Sequence, residues 1–183
     1  MEHKITVPIQ KDELKKLKSG DTVLISGVIY TARDAAHKRM VEEFSTTGKF
    51  PIDLKNQVIY YAGPCPAKPG EVIGSCGPTT AGRMDAYSPL LFDNGLSCVI
   101  GKGSRNEDVK KSMLENNAVY FGASGGAGAL IAGCIKSSEV VAYEDLGTEA
   151  IRRLEVSDFP VVVLFDTDGN DQYLIGQSRF SKL

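Results

Sequence analysis

The chain has 183 residues, of which 42% are apolar and 24% charged, with a formal net charge of −2. That composition suits one folded domain, residues 1–183, with a core that needs no staples, and the slight acidic balance argues against a nucleic-acid partner, because neutralising phosphates takes a surplus of Lys and Arg. No apolar run reaches the ~18 residues of a membrane span, and Met1-Glu2-His3-Lys4-Ile5 has no apolar signal segment, so the expected location is the cytoplasm.

Residues 4–9 read as a strand, confined to a sheet edge by Pro8, which cannot donate to a ladder. Residues 11–17 read as a short polar helix ended by Ser19-Gly20. Residues 22–30 form the strongest strand; Val23, Leu24, Ile25, Val28 and Ile29 are nearly continuous, which predicts burial on both faces. It runs into Thr31-Ala32-Arg33-Asp34-Ala35-Ala36-His37, where the spacing of Ala36, Met40 and Phe44 predicts a helix. Residues 45–55 are irregular, 57–62 read as a strand, and Pro64 to Gly70 form a stiff connector. After a short apolar run (Val72, Ile73) comes Gly74-Ser75-Cys76-Gly77-Pro78-Thr79-Thr80-Ala81-Gly82-Arg83-Met84-Asp85, with Pro78 suited to a helix start.

Residues 97–100 predict a strand ending in Gly101-Lys102-Gly103. Ser104-Arg105-Asn106-Glu107 has capping-box spacing, so a helix is expected to about Asn116. Residues 118–121 read as a strand and 122–133 as a Gly- and Ala-rich stretch. Residues 139–143, 160–166 and 172–175 read as strand, with Asp168-Gly169 as a turn. The sum is a mixed α/β domain with more strand than a doubly wound fold of this size needs.

On a helix starting at Pro78, Thr79 and Arg83 share a face, which sets a hydroxyl, a guanidinium and free N-terminal amides around one point. That chemistry suits a carboxylate or phosphate; an ordinary capped helix with an exposed Arg has the same pattern. Lys102 sits between glycines at a second strand end, and Arg33 at a third, with His37 one turn on. Three cations at strand-to-helix junctions, where open α/β sheets gather ligands, suggest a pocket for a small substrate with two carboxylates.

Other motifs fail. Gly122-Ala123-Ser124-Gly125-Gly126 matches the nucleophile elbow, but that mechanism needs a downstream His, and His3 and His37 both lie upstream. The run reads better as a close backbone approach, to a ligand or between elements. Gly101-Lys102-Gly103-Ser104 lacks the spacing and the hydroxyl residue of a P-loop. Cys65, Cys76, Cys98 and Cys134 stand 11, 22 and 36 residues apart, so no metal or cluster site is expected from this chain alone. In a reducing compartment they read as free, mostly buried thiols.

Arg33-Asp34-Ala35-Ala36-His37, Gly77 to Asp85 and Gly101-Lys102-Gly103 together resemble the β-subunit family of iron–sulfur hydro-lyases, which contains class I fumarate hydratases and L-tartrate dehydratases. The resemblance covers nearly the whole chain and implies a swivelling β/β/α fold with a mixed sheet. It implies a [4Fe–4S] cluster held by a partner α subunit and a separate β subunit that supplies substrate clamps; the sequence is silent on oligomer size, although an αβ pair doubled by symmetry, α2β2, would be typical. By motif match, Arg33, Arg83 and Lys102 would hold a dicarboxylate, and Thr79, with Thr80 beside it, would face the reacting carbon. A free Thr hydroxyl is a weak base needing activation, and His37 is the rival acid/base candidate or a residue orienting Arg33. Fumarate hydration is the expected activity, with tartrate dehydration and a cluster-free carboxylate-binding module as alternatives.

Overall fold

The computed structural model describes residues 1–181 and shows an α/β fold built on a mixed sheet. Its strands are β1 (Glu2–Val7), β2 (Thr22–Thr31), β3 (Val58–Tyr60), β4 (Cys98–Gly101), β5 (Val119–Gly122), β6 (Ile135–Ala142) and β7 (Ile151–Phe165). The helices are α1 (Lys11–Leu14), α2 (Asp34–Thr47), α3 (Ser88–Asp93), α4 (Glu107–Asn116), α5 (Gly128–Cys134) and α6 (Gln172–Phe180). The strand order is β1-β2-β3-β4-β5-β7-β6, with a further pairing of β2 to β7. The first five strands run parallel; β7 is antiparallel to β2, β5 and β6. Strands β2, β3, β4, β5 and β7 therefore close on themselves.

The closed sheet has an apolar layer on each side. Val58 and Tyr60 of β3, Cys98 and Ile100 of β4, and Val119 and Phe121 of β5 join the inner cluster. Their neighbours Ile59, Val99 and Tyr120 face the outer cluster, with Met40 of α2, Phe92 of α3 and Met113 of α4. Short, unbroken apolar runs are what parallel strands buried on both faces require.

Strand β2 departs from the expectation of two-sided burial. Val23, Ile25 and Ile29 are fully buried, whereas Leu24, Val28 and Tyr30 are only partly so. Val23, Ile25 and Ile29 join the inner cluster, while Tyr30 on the other face packs against the outer one. Helix α2 continues to Thr47, through residues expected to be irregular, and ends on Gly48 at φ 69°. Residues 172–175 are not a strand but the start of α6. Asp171 decides this, because its carboxylate caps the Tyr173 and Leu174 N–H groups. Asn106, not Ser104, caps α4, by accepting from Val109 N–H at 2.9 Å.

The largest correction is at the signature segment. Pro78 does not start a helix; it bridges Ala62, and Thr80 bridges Lys102, so residues 78–80 are extended. Only a one-turn 3-10 helix, Ala81–Met84, follows, and Thr80 makes no side-chain cap. Backbone donors that a helix would satisfy internally are taken by neighbouring strand ends instead.

Candidate active site

Strands β2 to β5 end at one edge of the sheet, so the residues after them share it. Ala32 N–H donates to Tyr60 O at 3.1 Å and Tyr61 N–H to Ile100 O at 2.8 Å. The signature segment inserts between the ends of β3 and β4. Thr79 N–H donates to Tyr61 O at 2.7 Å, Lys102 N–H to Thr79 O at 3.3 Å, and Ala81 N–H to Lys102 O at 2.8 Å. Gly101 permits the insertion: a Cβ there would stand 2.9 Å from Tyr61 Cδ2 and 3.3 Å from Ala81 Cβ. A continuous run of backbone bonds thus links the chain around Arg33, Thr79, Thr80 and Lys102. Arg83 joins them through its N–H, 3.4 Å from Thr80 O.

Thr79 is half-buried; Thr80, Arg83 and Lys102 are exposed. Among the described residues the side chains of Arg83 and Lys102 have no ion-pair or hydrogen-bond partner. Two cations without counter-charges, next to two hydroxyls, are donors suited to carboxylate oxygens. Lys102 is steadied through the next residue: Gly103 N–H donates to Tyr173 OH at 2.9 Å, and Tyr120 OH donates to Gly103 O at 2.8 Å. The Gly-rich stretch is a close approach between elements. A Cβ on Gly128 would collide with Ser75 Oγ, and one on Gly125 would lie 3.6 Å from Lys102 Nζ.

Arg105, which the sequence offers only as part of a helix cap, is buried beneath this surface. Its Nε donates to Asp85 Oδ1 at 2.6 Å, Nη1 to Tyr61 OH at 3.2 Å and Nη2 to Ser88 Oγ at 2.7 Å. The guanidinium carbon sits over the Tyr61 and Tyr120 rings at 5.4 and 5.5 Å. Burial acts to lower its pKa, but Tyr61 and Asp85 outweigh it and the net shift is upward. Asp85 Oδ2 also accepts Asn106 N–H at 2.9 Å. Asp85 thereby ties the end of the signature segment to the loop that follows Lys102. The sequence signal for Asp85 is its place in the motif; nothing local marks Arg105 as its partner.

Arg33 is partly buried, with Nη2 3.1 Å from Glu149 Oε1 and 3.5 Å from Asp34 Oδ1. His37 is fully buried and does not reach the exposed surface that carries Arg83 and Lys102. Its Nδ1 is 2.9 Å from Arg33 O; a carbonyl only accepts, so the proton is assigned to Nδ1, leaving Nε2 as the bare nitrogen. Nε2 is buried with no partner among the described residues, and Tyr61 meets the ring edge-on at 5.3 Å. Burial first, and then the Arg105 charge, push the His37 pKa from 6.5 down to about 4 against the pull of the Arg33 carbonyl. The ring is neutral near pH 7.

Of the four cysteines, Cys65 is exposed and Cys134 partly buried. Cys76 and Cys98 are buried in the core, where desolvation pushes both thiols up, Cys76 to about 12. Protonated core thiols are poor ligands. Among the described residues no three His, Cys, Asp or Glu side chains are grouped to hold a metal ion. No helix among them is long and apolar enough to cross a membrane.

Comparison with known proteins places these features in a shared context. A family model described as Fumarase C-terminus matches residues 2–175. The chain is 38% identical over 170 residues to fumarate hydratase 2 of Leishmania major, covering 91% of this chain and 30% of that protein. It is 42% identical over 149 residues to the aerobic class I fumarate hydratase of Escherichia coli K12, covering 80% of this chain and 27% of that one. It is 39% identical over 171 residues to a provisionally assigned L(+)-tartrate dehydratase subunit beta of Methanocaldococcus jannaschii, covering 90% and 88%. The chain thus spans under a third of the two fumarate hydratases and most of the third relative.

Two outcomes follow from the buried groups. Asp85→Ala leaves the Arg105 charge buried and unpaired, so chemical denaturation should show a loss of about 3 kcal/mol; an unchanged midpoint would contradict the role given to this pair. For His37, the unfolded state binds the proton below pH 6.5 while the folded state resists it to about pH 4. Stability should fall by about 3 kcal/mol as pH drops through that window. His37→Gln should flatten this slope; equal slopes in the variant and the parent protein would show that His37 does not carry it.

Proposed function

From the premise that this chain belongs to the Fumarase C-terminus family, we propose that it is the β part of an iron–sulfur hydro-lyase that reversibly hydrates fumarate to malate. The observation that carries this reading is the pair Arg83 and Lys102, exposed and without counter-charges among the described residues, fastened by backbone bonds beside Thr79 at one sheet edge. The cluster would be held by a partner, because Cys76 and Cys98 are protonated core thiols and no three potential ligands are grouped among the described residues. The relative named as a subunit beta supports a partner α subunit. An α2β2 assembly would double that pair by symmetry.

In this reading Arg33, Arg83 and Lys102 hold the two carboxylates, with Thr80 as a further donor. In the dehydration direction, a C–H bond next to one carboxylate breaks, its electron pair forms the C=C bond, and hydroxide leaves the neighbouring carbon. Negative charge builds on that carboxylate as the proton departs. Fixed cations stabilise it without reorganising. Thr79 would take the proton, and its hydroxyl would need a base from the partner to act so. His37, neutral and turned onto the Arg33 carbonyl, would hold the first turn of α2 rather than move a proton.

A second reading, tartrate dehydration, draws on the 88% coverage of the provisionally assigned tartrate dehydratase subunit. Turnover of fumarate and tartrate by the assembled enzyme, each in competition with the other, separates the two.

Arg83 is exposed, so Arg83→Ala should leave the unfolding midpoint unchanged while kcat/KM in the assembled enzyme drops roughly 10²–10³-fold. Near-normal turnover in that variant would remove Arg83 from the site.

A further inference from the structure

We propose that Glu149 is a positioning residue that aims the Arg33 guanidinium at a substrate carboxylate. The proposal rests on the hydro-lyase reading of the site above.

Glu149 divides its two oxygens between the Arg33 side chain and the backbone that carries it. Oε1 lies 3.1 Å from Arg33 Nη2, and Oε2 accepts the Ala35 N–H at 3.1 Å. The carboxylate therefore fixes the guanidinium relative to the first turn of α2. A side chain that served only as a helix cap would need the second contact alone.

Glu149 itself is held from both sides. On one side, Arg39 of α2 takes Asp145 through two bonds of 2.7 and 2.8 Å, and Tyr143 OH donates to Glu43 at 2.6 Å. On the other, Ala150 leads into β7, where Arg152 N–H donates to Thr31 Oγ1 at 3.2 Å. The loop carrying Glu149 is thus tied to α2 and to β2, the two elements that flank Arg33.

The remaining donors of Arg33 are left unpaired. Both carboxylates, Glu149 and Asp34, approach through Nη2. Nε is buried and has no partner, and no partner to Nη1 exists among the described residues. Gly63 packs against this side of the side chain and leaves room for it: a Cβ there would stand 3.1 Å from both Arg33 Cδ and Nη1. An Arg held at one nitrogen by a fixed carboxylate, with other donors unspent, is arranged to grip a second anion in a set direction.

The test is a double-mutant cycle in the assembled enzyme, read as the Kd for succinate, an unreactive four-carbon dicarboxylate, and as kcat/KM for malate. Glu149→Ala should weaken succinate binding and lower kcat/KM roughly 10–100-fold, because the guanidinium loses its aim. Glu149→Gln should recover part of the loss, since its amide oxygen can still accept the Ala35 N–H. In an Arg33→Ala background, Glu149→Ala should change the succinate Kd by less than about 2-fold, because nothing is left to position. Effects that multiply across the two sites, or a Glu149→Ala enzyme that binds succinate normally, would overturn the proposal. If Glu149→Ala does not fold, Glu149→Gln runs the same cycle with the same two criteria. An Arg33→Ala enzyme with unchanged succinate binding would instead bring down the carboxylate role of Arg33 itself, and this proposal with it.

Discussion

The Arg105 guanidinium, buried under the sheet edge, is the contact through which the exposed residues keep their relative places. It reaches Asp85 at the end of the signature segment, Ser88 at the start of α3 and Tyr61 just after β3, and it lies against the Tyr120 ring of β5. Arg105 itself follows Lys102 by three residues, so one side chain ties the loop with Lys102 to the turn with Arg83. A buried cation holds such a position only with its donors satisfied. Here each of its three nitrogens has a partner, and two aromatic faces fill the remaining space. The network contributes geometry more than net stability: a well-packed apolar substitute could hold the fold, but not the same spacing of the surface above it.

The cations fall into two kinds by what surrounds them. Arg105 and Arg33 are held by carboxylates of the same chain, whereas Arg83 and Lys102 are exposed with none among the described residues. Backbone bonds through Thr80 and Ala81 hold the stretches that carry these two cations to one sheet edge. In the reading proposed above, they await an anion from outside. A cavity of about 570 Å³ elsewhere, lined by Cys65, Val72, Ile73 and Ala132 among others, contains none of them. The two fumarate hydratases that the chain resembles extend well beyond this region, since it spans under a third of each.

Much of this is legible in the sequence, and the misses have physical reasons. The edge strand is marked by Pro8, the turn by Asp168-Gly169, and the buried strands β3, β4 and β5 by short apolar runs. Arg33, Arg83 and Lys102 stand out because each follows such a run near a glycine or a helix start. The segment from Pro78 to Thr80 misleads because Pro and Thr suit a helix start as well as an extended bridge; the choice falls to Tyr61 and Lys102, which are distant in sequence and offer the backbone other partners. Residues 172–175 read as strand by their Tyr, Leu and Ile, and the Asp171 cap overrules that preference. The partners Glu149 and Arg105 are invisible for the same reason: an ion pair across 116 or 20 residues leaves no local pattern.

The central claim is that this chain supplies carboxylate clamps to a site completed by a cluster-bearing partner. The most direct measurement is anaerobic capture from the native host with this chain as bait, followed by iron analysis and a fumarate hydration assay of the captured material. The account predicts a coloured, iron-containing partner and hydratase activity that appears only when both chains are present. A bait recovered without iron and without a partner, under conditions that preserve clusters, would contradict it.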